Sequence, residues 1–219
     1  AKAVLEVNRY PDREFMQLRQ GLADYLGYDL KPENIWAANG SNEVLQHIFQ
    51  AFGGPGRLAL GFGPTYSMYP LIAQGMETDY FAAPRLDRYE LTPDHIRAQI
   101  LEHKPNIVIL CSPNNPTGTP LSLDCVIAAY EAVSEASGGI VVVDEAYAEF
   151  AADGAETAIE LLPGRERLLV SRTMSKAFAF AGARVGYLAA DEAVIDALRL
   201  VRLPYHLSAL TQAAAEAAL

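Results

Sequence analysis

Seven short apolar runs, separated by segments of helical periodicity, constrain this chain more than any single motif does. The runs are Ile35–Ala38, Arg57–Leu60, Thr78–Ala82, Asn106–Cys111, Ile140–Val143, Arg167–Ser171 and Val185–Ala190. Between the first six, the spacing predicts helices over Ser41–Phe52, Tyr66–Gly75, Pro93–His103, Leu123–Ser137 and Ala155–Leu162. Apolar strands alternating with amphipathic helices predict an α/β fold, three αβα layers around a mostly parallel seven-stranded sheet. Too few residues separate the sixth and seventh runs for a crossover helix, so the last strand is expected to be the one antiparallel strand. Ahead of the sheet, Pro11 holds Tyr10 extended and Asp12 offers a cap. Phe15, Leu18, Leu22, Tyr25 and Leu26 then recur at helical spacing until Gly27.

Bulk properties narrow the function classes. The 219 residues are 51% apolar, enough for a substantial core. Lys plus Arg number 17 against 27 Asp plus Glu, a formal charge of -10 that weighs against a nucleic-acid or anionic-membrane partner. No apolar run reaches the roughly 18 residues of a membrane helix, and the opening Ala1-Lys-Ala-Val-Leu-Glu-Val7 lacks a signal-peptide layout. Cys111 and Cys125 read as buried thiols of a reducing, cytoplasmic setting. His47, His95, His103 and His206 show no ligand spacing, so no metal site is expected. Gly53-Gly-Pro-Gly56 follows a helix and precedes a strand, which makes it a turn, and no G-x-G-x-x-G supports a nicotinamide cofactor.

In sheets of this kind ligands bind beyond the carboxyl ends of the strands. Asn39-Gly-Ser-Asn-Glu43 follows the first strand, and Ser41 is predicted as the N-cap of a helix whose free N–H groups form an anion site or an ordinary cap. Phe62-Gly-Pro-Thr-Tyr-Ser67 turns at Gly63 and Pro64 and presents Tyr66, either to a planar ring or to the core. In Cys111-Ser-Pro-Asn-Asn-Pro-Thr-Gly118, Pro116 restricts Asn115 so that its amide can be aimed. Ile140-Val-Val-Val-Asp-Glu-Ala-Tyr147 delivers Asp144 to a strand end, where a carboxylate is costly without a cation. A protonated pyridine nitrogen would serve, as would a metal, though no second carboxylate or histidine cluster supports the metal. Tyr147, three residues on, could donate to a phenolate oxygen.

The last of these segments is Ser171-Arg-Thr-Met-Ser-Lys-Ala-Phe-Ala-Phe-Ala-Gly-Ala-Arg-Val-Gly186. Lys176 lies there among Ala, Phe and Gly, with Thr173 and Ser175 just before it and Arg184 after it. Dry surroundings would lower the ammonium's pKa and free the amine to attack a carbonyl. Hydroxyls and a guanidinium suit a phosphate. Amine and phosphate cradle together point to pyridoxal 5'-phosphate (PLP), against the plainer reading of a surface lysine.

The blocks Ser112-Pro-Asn-Asn-Pro-Thr-Gly118, Val143-Asp-Glu-Ala-Tyr147 and Thr173–Tyr187 resemble the fold-type I PLP enzymes of the aminotransferase class I/II group. Asn8-Arg-Tyr-Pro-Asp12, Gly40-Ser-Asn-Glu43, Gly63-Pro-Thr-Tyr-Ser-Met-Tyr69 and Leu200–Ser208 look most like the histidinol-phosphate aminotransferases among them. The resemblance implies a Schiff base on Lys176, which later serves as the proton-transfer base, with Asp144 on the pyridine nitrogen. It implies Tyr147 and Asn115 on the 3-oxygen, Tyr66 beside the ring, and Ser41, Asn42, Thr173, Ser175 and Arg184 on the phosphate. Tyr10 would reach the phosphate of a neighbouring subunit, in a homodimer.

The implied reaction is amino transfer between L-histidinol phosphate and 2-oxoglutarate in histidine biosynthesis. An aromatic-amino-acid aminotransferase and a threonine-phosphate decarboxylase are near alternatives. A PLP-binding regulator without catalysis is a further one, disfavoured because Lys176, Asp144 and Tyr147 are all retained. The resemblance also implies an N-terminal arm and a small C-terminal domain with an arginine for the substrate carboxylate, neither of which is among these residues. Residues 1–219 are therefore expected to be the PLP-binding large domain, with 205–219 starting the helix that leads to the small domain.

Overall fold

A computed structural model describes residues 6–152 and 154–219, so the opening segment Ala1–Leu5 lies outside the described residues. Seven strands form one sheet: β1 (Ile35–Ala38), β2 (Leu58–Gly63), β3 (Asp79–Pro84), β4 (Ile107–Cys111), β5 (Ile140–Asp144), β6 (Leu168–Thr173) and β7 (Gly186–Ala190). Their order is β1-β7-β6-β5-β4-β2-β3. The pairs β2–β3, β2–β4, β4–β5 and β5–β6 are parallel. Strand β7 runs antiparallel to both its neighbours, β1 and β6, as the short connection before it requires. The carboxyl ends of β1, β2, β4, β5 and β6 therefore share one edge of the sheet, and β7 begins there.

Every residue of β4 and β5 is buried, which demands a helical layer on each face. The helices are α1 (Met16–Leu26), α2 (Ser41–Phe52), α3 (Met68–Gly75), α4 (Pro93–His103), α5 (Leu123–Ala136), α6 (Glu192–Val201) and α7 (Ala209–Ala218). Helix α4 packs on α5, α2 packs on α3 and α6, and α1 packs on α7. Phe15, Leu18, Leu22 and Leu26 are buried as their spacing predicts, whereas Tyr25 stays largely exposed with its ring edge-on to Phe178. Asp12 accepts the Met16 N–H at 2.9 Å and so caps the entry to α1. Both cysteines are buried free thiols. Among the described residues no helix is long and apolar enough to cross a membrane.

Three elements differ from the sequence reading, the first being α6, which is not among the expected helices. The helix expected over Ala155–Leu162 is only a 3-10 turn, Ala158–Leu161. The Glu145 carboxylate accepts the Ala158 N–H at 2.7 Å and the Thr157 hydroxyl at 2.7 Å, pinning the start of the turn, and Pro163 follows at once. The third helix begins at Met68 rather than Tyr66, which leaves Tyr66 in the irregular lead-in at the ligand edge.

Candidate active site

At the shared edge lies a cavity of about 210 Å³, lined by residues from five separate strand ends. Ser41, Asn42, Tyr66, Asn115, Asp144, Tyr147, Thr173, Ser175, Lys176 and Arg184 all line it, so the topology gathers ten of the eleven residues singled out in the sequence. Tyr10 is the exception. It stands outside this cavity, 81% exposed, with its ring stacked on Tyr205 at 4.6 Å.

Asp144 forms the floor. Strand alternation turns it to the cavity side and sends Glu145 to the other face, where Glu145 pairs with Arg172 at 2.8 Å. Asp144 is 3% exposed, and its carboxylate accepts from Tyr69 Oη at 2.7 Å, Ala146 N at 3.2 Å and Ser171 Oγ at 3.3 Å. Burial pushes its pKa up, and the three donors only partly offset that cost. Among the described residues no ion pair involves Asp144. A buried carboxylate facing a cavity with donors but no cation is suited to a cationic ligand atom. Tyr69 is fully buried, and its own pKa is raised well above the usual phenol value, by burial first and then by Asp144.

The opposite end of the cavity suits an anion. Helix α2 has Gly40 as its N-cap, not Ser41, which is its first helical residue. Gly40 has φ +87°, and a Cβ there would stand 2.4 Å from Arg184 Nη2, so only glycine lets the guanidinium lie against this turn. No side chain caps α2, and while the N–H groups of Glu43 and Val44 donate to Gly40 O, those of Ser41 and Asn42 remain available. Arg184 reaches in from before β7, donating to Asn39 O at 3.4 Å, Ser175 Oγ at 3.5 Å and Ala181 O at 3.2 Å. The Thr173 hydroxyl donates to Val185 O at 3.2 Å and accepts from Ser175 N at 3.1 Å, so it shapes the turn that carries Lys176.

Between the two ends, Tyr66 donates to Asn42 Oδ1 at 3.2 Å, and Asn115 Nδ2 donates to Tyr147 Oη at 3.5 Å. The two asparagines of the proline-rich loop divide the work. Asn114 is buried and ties that loop to Pro64 O and Thr117 Oγ1, while Asn115 faces the cavity. Lys176 is exposed, with Nζ 5.5 Å from the centre of the Tyr147 ring. The dry setting expected for it is not observed, because Ala177 and Ala179 also face solvent and Phe178 turns away to Tyr25.

Sequence reading missed three neighbours of the site: Cys111 on the wall, and Tyr69 and Ser171 behind Asp144. Burial, with Asp144 close by, pushes the Cys111 thiol up to about 11, so it lines the cavity as a neutral group. Tyr69 lies in the quoted Gly63–Tyr69 block, but its bond to Asp144 spans 75 positions, which no local pattern encodes.

A cavity at the strand ends of this sheet, with a buried carboxylate at one end and an anion cup at the other, has its counterpart in a known group. The chain belongs to the family described as aminotransferase class I and II, whose model matches residues 2–219. It is 68% identical over all 219 residues to the histidinol-phosphate aminotransferase of Paenarthrobacter aurescens (strain TC1), and 58% identical to that of Thermobifida fusca (strain YX). It spans 59% of the length of each of these relatives. Among solved structures, it superposes with a TM-score of 0.89 on the histidinol-phosphate aminotransferase of Sinorhizobium meliloti in complex with pyridoxal-5'-phosphate. That match has 28% identity and covers 99% of this chain and 58% of the other. The fold is that of the fold-type I aminotransferases, seven-stranded and mostly parallel as the sequence led us to expect.

Proposed function

We propose that this chain is the cofactor-binding large domain of a PLP-dependent aminotransferase acting on L-histidinol phosphate, with 2-oxoglutarate as amino acceptor, in histidine biosynthesis. The observation that carries the cofactor reading is Asp144, a buried carboxylate with three donors and no cation at the floor of a cavity whose far end is an anion cup. The substrate reading is supported by relatives of that name at 68% and 58% identity.

When bound, PLP supplies an aldehyde carbon for amines and a protonated pyridine ring that withdraws electrons from the substrate's α carbon. Asp144 would hold the proton on the ring nitrogen, and in doing so relieve its own burial. Lys176 Nζ would hold the aldehyde end and, once released, carry the proton to and from the α carbon. Its exposure fits that second duty, since the amine must swing between the two tasks. Tyr147 Oη and Asn115 Nδ2 would steady the 3-oxygen, and Tyr66 would lie against the ring. Ser41, Asn42, Ser175 and Arg184 would receive the phosphate, within the turn that Thr173 builds.

We assign Tyr10 to the phosphate of a second subunit in a cytoplasmic homodimer. Its exposure outside its own cavity supports this. Residues 205–219, with α7 inside them, would lead to a small domain that holds the substrate carboxylate. The test is a coupled assay of the full natural protein with L-histidinol phosphate, L-phenylalanine and L-tyrosine as donors to 2-oxoglutarate. A kcat/KM for L-histidinol phosphate at least tenfold above either aromatic amino acid is expected; a preference for an aromatic donor would overturn the substrate assignment.

A further inference from the structure

Asn39 follows β1 and stands one residue before the N-cap of α2, and residues outside the cavity take its hydrogens. Its backbone N–H donates to Glu43 Oε2 at 2.6 Å, and its side-chain amide donates to the same oxygen at 2.8 Å. The amide nitrogen also donates to His206 O at 2.7 Å, in the link between α6 and α7. Asn39 O accepts from Arg184 Nη2 at 3.4 Å. The far partner is itself held firmly. The His206 ring stacks on Trp36, 5.5 Å between centres and 10° from parallel, and its Nε2 lies 2.8 Å from Ala37 O.

Glu43 is the third residue of α2, and a carboxylate on the first turn of an anion-binding helix would repel a phosphate. Here Oε2 is turned backward and takes both Asn39 donors, as in a capping box moved one residue upstream, the Gly40 N–H being already given to Ala38 O at 2.8 Å. The carboxylate thereby fixes the turn on which the free N–H groups and the Arg184 contact depend.

We propose that Asn39, clamped between Glu43 and the His206 carbonyl, is a positioning residue for the anion end of the cavity. It ties the α6–α7 link to the phosphate cup without touching the ligand. This inference rests on the PLP reading above. Its signature is specific to phosphate: loosening the clamp weakens PLP while leaving pyridoxal, which has the same ring and no phosphate, almost unaffected.

The test compares Asn39→Ala, Glu43→Ala and Glu43→Gln in the full natural protein. It measures dissociation constants for PLP and for pyridoxal by absorbance titration, and melting of the cofactor-free protein. Asn39→Ala and Glu43→Ala should weaken PLP about tenfold, the worth of one hydrogen bond to a charged group, with pyridoxal changed by less than about twofold. Glu43→Gln keeps an acceptor oxygen and removes the charge, so its preference for PLP over pyridoxal should stay at or above wild type. An unchanged preference in Asn39→Ala overturns the proposal. So does a gain in Glu43→Ala equal to that in Glu43→Gln, which would make Glu43 a repelling charge and nothing more. Should Asn39→Ala not fold, the glutamate pair decides alone. A wild-type protein that binds PLP no better than pyridoxal rejects the cofactor reading itself, an outcome distinct from the others.

Discussion

Replacing Gly186 with alanine tests whether backbone packing sets the anion end of the cavity. The added Cβ would stand 2.1 Å from Ser41 N, 2.3 Å from Gly40 C and 2.7 Å from Ser41 Cα. All three are backbone atoms, so no side-chain rotation relieves the clash. Ordinary contact begins at 3.4 Å, so β7 and the start of α2 must separate by about 1 Å. Strand β7 is hydrogen-bonded on both sides, to β1 and β6, which leaves the turn at residues 39–42 as the part that yields. Overpacking of this kind costs about 1–3 kcal/mol. For a domain of this size, 2 kcal/mol lowers the melting temperature by about 4–8 °C. The displaced turn carries the anion donors with it. Losing two hydrogen bonds to a charged group, at about 1.5 kcal/mol each, weakens PLP binding roughly 10²-fold. Thermal melting of the cofactor-free protein and absorbance titration with PLP measure both effects. A Gly186→Ala variant with wild-type melting and wild-type PLP affinity would refute the idea that this contact holds the cup in place.

Three further outcomes follow from the same geometry. Tyr69→Phe removes the shortest donor to Asp144 and should cost about 2 kcal/mol in urea unfolding near neutral pH, with a smaller loss in acid where the raised pKa of Asp144 lets it take a proton; equal losses at both pH values would contradict this. Asp144 binds its proton more tightly folded than unfolded, so stability of the cofactor-free protein should fall as pH rises through its folded pKa, and Asp144→Asn should remove that fall. Burial depresses His47 to about 4 from 6.5, so the stability it contributes is present above 6.5 and lost as pH falls towards 4; His47→Gln, compared by urea midpoints, should flatten that limb.

Much of this architecture is legible in the sequence because its signals are local. Four consecutive apolar residues ahead of Asp144 mark both a buried strand and the strand end on which the site depends. The same logic places Asn115 and Ser41 at the correct edge, since each follows its strand within a few residues. What sequence alone does not give is anything decided across the fold. The N-cap of α2 falls to Gly40 instead of Ser41 because Gly40, at φ +87°, is the last non-helical residue and its carbonyl accepts from Glu43 and Val44, a conformation that a search for capping side chains overlooks. Lys176 reads as dry because its sequence neighbours are Ala and Phe, yet Phe178 packs away from it, edge-on to Tyr25 on α1, a contact that only the fold creates. The helix predicted at Ala155–Leu162 shrinks to a 3-10 turn at Ala158–Leu161 because Glu145, a neighbour only in space, pins Thr157 and Ala158 as its start, and Pro163 follows at once.

The most direct test of the central claim is to load the protein with PLP, reduce it with borohydride, and map the labelled peptide. Within these 219 residues Lys176 competes for label with Lys2, Lys31 and Lys104, and peptide mapping separates the four. Label on Lys176, lost in Lys176→Ala, is the predicted result. Label on Lys2, Lys31 or Lys104, or label that persists in Lys176→Ala, would contradict the assignment of this cavity as the cofactor site.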